Sequence, residues 1–114
     1  MTEENNMENT FFKSFHIAGF AYYQGALLFS EMKIGSRIEL IADEDNKYDS
    51  DAVELRFNGK KIGHIPKNAN QEISKIIRSG YDIFEAVIQQ LSPEEHPEHQ
   101  VRVAVFVVAD QQDD

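Results

Sequence analysis

Residues 52–66 read AVELRFNGKKIGHIP, and the fold turns on the Asn58-Gly59 pair at their centre. Both central positions of a type I′ turn need positive φ, which Asn and Gly tolerate best, so NG between two such runs predicts a hairpin. Its first arm alternates Val53, Leu55 and Phe57 against Glu54 and Arg56. The second arm, KKIGHI, stops at Pro66, which lacks the N–H a ladder requires.

Downstream, NANQEISKIIRSG (68–80) predicts a helix with Asn68 or Asn70 as its cap, Ile73, Ile76 and Ile77 on one face, and Gly80 as terminator. YDIFEAVIQQL (81–91) alternates β-branched and aromatic residues as a strand does. SPEEHPEHQ (92–100) is a polar loop, and VRVAVFVVA (101–109) is a strand apolar on both faces. Upstream, RIELIA (37–42) alternates like a strand, AYYQGALLFSEM (21–32) is expected as a loop, and FFKSFHIAGF (11–20) is a strand ended by Gly19. Six strands and one clear helix imply a mainly β domain over 11–109, a small closed or nearly closed barrel, because closure removes exposed edges. A sandwich is the alternative. Polar tails are expected at 1–10 and 110–114.

At 114 residues the chain suits one compact domain with a single small core. It has no Cys, which excludes disulfides, thiolate zinc sites and a cysteine nucleophile, and fits a cytoplasmic location. No apolar run approaches the roughly 20 residues needed to cross a bilayer, and the start lacks a signal-peptide pattern, so no membrane partner is expected. The net charge of −9 opposes phosphate binding as a uniform field would. The charge is unevenly spread, however. Glu3, Glu4, Glu8, Glu94, Glu95, Glu98, Asp110, Asp113 and Asp114 account for 9 of the 20 acids, while 56–78 holds six basic residues against Glu72 alone.

The acidic loop preceding the hairpin, DEDNKYDSDAVEL (43–55), imitates a calcium loop: acids fall at loop positions 1, 3, 7, 9 and 12. Lys47 stands where a ligand belongs, Tyr48 where the sharp turn needs Gly, and the flanks are strands rather than helices, so a cation site is rejected. No catalytic constellation accompanies these carboxylates, and no serine has a nucleophile-elbow context. The chain is therefore expected to be no enzyme and to need no cofactor. His96 and His99 in EEHPEH are weak metal candidates, since Pro97 between them prevents a shared helix face; a solvated turn is the expectation. Tyr22, Tyr23 and Tyr48 lie in predicted loops near Lys60, Lys61, His64 and Lys67. That is the composition of a single-strand site, where bases stack on rings and cations hold phosphates. For Tyr23, inward packing and exposure are equally compatible with the sequence.

GFAYYQG (19–25), NKYDSDAV (46–53) and NGKKIGHIPK (58–67), in this order and spacing, resemble the HIRAN domain. That module occurs at the N-terminus of certain fork-remodelling helicase-like ATPases and as a short stand-alone bacterial protein. The resemblance runs from about Phe15 to Gly80 and more loosely to Val108. It implies an OB-like antiparallel barrel of about six strands with one or two helices, which binds single-stranded DNA and captures a free 3′-hydroxyl end. Carried over by position, Tyr22 is similar to the ring that stacks on a terminal base, and Tyr48 to its companion. Asp49 resembles the carboxylate that accepts the 3′-OH, and His64 and Lys67 resemble the phosphate contacts. Ala21 stands where the family has an arginine, removing a bidentate contact, and Lys47 stands where it has a loop proline. With no ATPase motif, any unwinding or cleavage belongs to a helicase or nuclease partner. Two other readings are a regulatory protein-interaction barrel and, remotely, a metal-dependent component of nucleic-acid processing.

Overall fold

The structure, a computed structural model, describes residues 9–23 and 25–108. The tail expected at 110–114, Ala109 and most of the tail expected at 1–10 lie outside the described residues. Six strands form among the described residues: β1 (Asn9–His16), β2 (Arg37–Ala42), β3 (Val53–Phe57), β4 (Lys60–His64), β5 (Phe84–Leu91) and β6 (Val101–Val108). All pair antiparallel, in the order β1-β6-β5-β2-β3-β4. β1 starts two residues before the expected Phe11, because Asn9 and Thr10 pair with Val108 and Val107.

The Asn58-Gly59 hairpin forms as its residues dictate, with φ of 52° and 79° at the two turn positions. In the barrel interior Ile38, Val53, Leu55 and Ile62 are buried with Phe15, Ile17, Ile88, Val101, Val103 and Val105, and Leu40 is partly buried. The sheet's two ends meet beyond β1. The Ala18 and His64 backbones exchange two hydrogen bonds of 2.9 Å, joining the β1 extension to β4 and closing the ring. Gly63 permits this approach. Its φ is +149°, and a Cβ there would sit 2.5 Å from the Ala18 carbonyl oxygen and 2.4 Å from Ile17 Cγ2.

Two helices accompany the barrel, α1 (Gly25–Leu28) and α2 (Gln71–Arg78). The segment 21–32, expected as a loop, contains α1 and a 3₁₀ turn over Phe29–Glu31. One turn of helix suffices to bury Leu28, with Met32 four residues on, against the barrel, but four residues are too few to show a helical period. α2 is shorter than the expected 68–80, being preceded by a 3₁₀ turn at Lys67–Ala69. Ile73 is fully buried and Ile77 packs against the core, as the isoleucine spacing requires. Asn70 occupies the N-cap position but its side chain makes no capping bond; it is directed elsewhere.

Candidate nucleic-acid interface

Barrel closure brings three loops to one mouth: Gly19–Tyr23, the acidic loop after β2, and the stretch from His64 to Asn70. In the first loop Phe20 is fully buried, its ring 6.1 Å from that of Phe29. Gly25 lets α1 start directly against it, since a Cβ at Gly25 would stand 2.3 Å from the Phe20 ring. With Phe20 anchored inward and Tyr22 N–H donating to the Gly19 carbonyl at 2.9 Å, the next two rings turn outward. Tyr22 is 86% exposed and Tyr23 38%. Tyr23 thus takes an intermediate position: its ring lies 5.7 Å from the His64 ring and 6.5 Å from that of Tyr22, and Lys61 Nζ sits 4.3 Å over its face.

Lys61 and His64 would face opposite ways in a regular strand. A bulge prevents this, because Leu55 opposes Gly63 while Arg56 opposes Lys61, leaving Ile62 as the extra residue on β4. Both side chains can therefore meet the same ring, while Ile62 stays fully buried.

The acidic loop is built from its own polar side chains. Asp43 N–H donates to the Ala52 carbonyl at 2.9 Å and closes its neck. Asn46 Oδ1 accepts from the backbone N–H groups of Tyr48 at 2.8 Å and Asp49 at 2.9 Å, and its Nδ2 donates to Asp43 Oδ2 at 3.2 Å. Asp49 Oδ1 accepts from Asp51 N–H at 3.0 Å, and Asp49 Oδ2 accepts from Asn70 Nδ2 at 2.9 Å. Of the residues that imitate a calcium loop, Asn46 and Asp49 form Asx-type turns, Asp43 accepts from Asn46 and Glu54 pairs with Arg56. Tyr48 stands out from this frame at 90% exposure, its backbone held from below.

The loops connect through His64, whose Nε2 lies 3.4 Å from Asp43 Oδ2. Burial alone would push the Asp43 carboxyl up, but hydrogen bonds from Asn46 and His64, with the Lys61 charge nearby, hold it below its ordinary value of 3.8. Asp43 therefore stays ionised and orients the imidazole. Asp49 is half-buried, and each of its oxygens accepts one internal bond, leaving lone pairs for a hydroxyl donor.

Among the predicted residues, Tyr22, Tyr23, Lys61 and His64 come together directly, and Tyr48 and Asp49 join them through Asn46 and Asp43. Lys67 is exposed on the 3₁₀ turn following Pro66, and Lys47 is exposed beside Tyr48. Lys60 pairs with Phe57 at the hairpin turn, at the far end of β4 from His64. Within the basic run 56–78, Arg56 pairs with Glu54 and Arg78 donates to Ser74 Oγ at 2.9 Å on α2. Asn46 and Asn70, absent from the sequence-derived set, hold the frame; the buried Asn70, 21 positions from Asp49, signalled only a cap. His96 Nδ1 accepts from Glu98 N–H at 3.2 Å, so this ring caps its own turn. No group of three or more His, Asp or Glu converges as a metal site among the described residues. A groove of about 700 Å³ between β2, β5 and the end of α2 includes none of these candidate residues.

A closed antiparallel barrel with aromatic rings, a histidine and lysines gathered at one mouth defines the class of small nucleic-acid-binding barrels. The family model described as "HIRAN domain" matches residues 11–110, so the chain belongs to the HIRAN family, a nucleic-acid-binding module. Among solved structures, a protein from Lactobacillus plantarum is similar with a TM-score of 0.76 at 14% identity, covering 90% of this chain and 97% of that one. The crystal structure of the HIRAN domain of human HLTF is similar with a TM-score of 0.68 at 19% identity, covering 93% of this chain and 84% of that one. No curated protein matches by sequence. No helix among the described residues is long and apolar enough to cross a membrane.

Proposed function

We propose that this domain holds the 3′ end of a single DNA strand. The observation that carries the reading is the continuous set of contacts from Tyr23 through His64, Asp43 and Asn46 to Tyr48 and Asp49, at the seam where the barrel closes. The exposed rings of Tyr22 and Tyr48 offer stacking faces that any base satisfies. Asp49, an acceptor-only carboxylate, takes the terminal 3′-OH and repels a 3′-phosphate, giving end recognition without base readout. Lys61, His64 and Lys67 hold phosphates, with Lys61 supplying nearby charge that the arginine replaced by Ala21 does not. The module performs no chemistry itself; a helicase or nuclease partner acts on the strand it holds.

Fluorescence anisotropy with oligonucleotides ending in 3′-OH or 3′-phosphate tests this. The 3′-OH strand is expected to bind tighter, Asp49→Ala to abolish the difference, and Tyr22→Ala to weaken binding by about 1 to 3 kcal/mol. A protein-interaction domain is the second reading, favoured by the exposed Tyr81 and Ile41 beside the 700 Å³ groove. Weak and equal binding of both strands, unchanged by either substitution, decides for it.

A further inference from the structure

A second groove, of about 550 Å³, borders the closure at Ala18 and contains none of the predicted nucleic-acid-binding residues. It begins at Ala18 and Pro66, the neighbours of the Tyr22 loop and of Lys67, and extends to His16, His99 and Arg102. We propose that this groove carries the phosphodiester backbone of the nucleotides preceding the held end, so that the strand crosses the barrel seam and continues along β1 and β6. The inference rests on the 3′-end reading above and adds the path of the strand to it.

Two features argue for a backbone rather than a base or a peptide. The first is the state of Arg102. Its Nη1 donates to Ser14 Oγ at 3.0 Å, and among the described residues no carboxylate pairs with it. A guanidinium has five N–H donors, so most of this fork is available, and its geometry matches two phosphate oxygens. Lys13, by contrast, is bound to Glu72 at 2.8 Å, which leaves Arg102 as the groove's uncommitted cation. The second feature is the histidine pair. The rings of His16 and His99 stand 5.1 Å apart edge to face, and His16 pairs with Arg102 across the β1–β6 ladder. Burial, then the charges of Arg102 and His99, push His16 below its ordinary value, against the opposing pull of Glu95. The groove's uncommitted positive charge therefore centres on Arg102, with the His16 imidazole beside it held toward its neutral form. Glu98 is the single carboxylate in the lining. Ala18, Pro66 and Asn68 in the lining are chain neighbours of the mouth residues, and the chemistry of the groove is that of a phosphate track.

The test compares 3′-OH oligonucleotides of about 4 and about 12 nucleotides by anisotropy, lengths spanning the range such barrels accept. Each oligonucleotide has one 3′ end, so an end-bound complex gains no statistical advantage from length. The longer strand is expected to bind about ten-fold tighter or more. Arg102→Gln, which keeps an amide to meet Ser14, should remove most of that gain and leave the short strand unchanged, and His99→Gln should remove part of it. His99 is exposed and outside the core, so this second variant keeps the test valid if Arg102→Gln lowers stability. An equal gain in both variants, or no gain in the parent protein, overturns the track while leaving a 3′-OH preference in the short strand intact. If neither length binds, the end-recognition reading fails and the track fails with it.

Discussion

Gly63 and Gly59 lie four positions apart and both have positive φ, yet they do different work. At Gly59, φ is +79° and nothing lies within 4 Å of an added Cβ, so a side chain there meets only the backbone preference. At Gly63 the added atom would collide with Ile17 and with the carbonyl of Ala18, whose bonds to His64 close the barrel. Gly59→Ala should therefore cost about 1 to 2 kcal/mol, the usual penalty for a left-handed L-residue. Gly63→Ala combines that strain with a clash against backbone and should cost on the order of 2 to 4 kcal/mol. Thermal melts would show a Tm fall of roughly ten degrees or more for Gly63→Ala. Because the seam also orients His64, that variant should lose DNA binding at temperatures where it remains folded, while Gly59→Ala keeps it. Equal Tm shifts in the two variants would show that the seam is not under steric constraint.

The β3–β4 hairpin marks where the sequence was informative and where it fell silent. Its turn was legible because NG admits few other conformations, and α2 because Ile73, Ile76 and Ile77 repeat at the helical period. The bulge at Ile62 was not, because an extra residue leaves no trace in a five-residue alternation. Nor was the tie from Asn70 to Asp49, a long-range contact that no local pattern encodes. The bulge decides which lysine faces the mouth: Lys61 lies over Tyr23 and Lys60 stays at the hairpin turn. Lys61→Ala should weaken single-strand binding by about 1 kcal/mol or more, through the lost charge and the freed Tyr23 ring. Lys60→Ala should leave it within about 0.5 kcal/mol of the parent. Matching losses in a side-by-side titration would mean that the two lysines act only as undifferentiated charge.

The molecule carries a net charge of −9 and still presents a local cationic line, Lys61 and Lys67 at the mouth and Arg102 beyond the seam. Five of its 20 acids are held in internal contacts, Asp43 and Asp49 in turns and Glu54, Glu72 and Glu85 in pairs with Arg56, Lys13 and Arg37. Bound phosphates release counterions according to the cations they touch, whereas the global field acts at distances that salt screens within about 10 Å at 0.1 M. Affinity should therefore fall with added salt despite the acidic composition. Three phosphate contacts at about −0.7 each give a slope of log K against log salt near −2. Replacing Lys61, Lys67 or Arg102 with a neutral residue should each flatten the slope by about 0.7, whereas Lys60→Ala should not change it. Titrations at four or five salt concentrations measure both quantities. A slope near zero would mean that stacking on Tyr22 and Tyr48 carries the binding without phosphate contacts. A positive slope would mean that net charge, not the local line, governs the encounter with DNA.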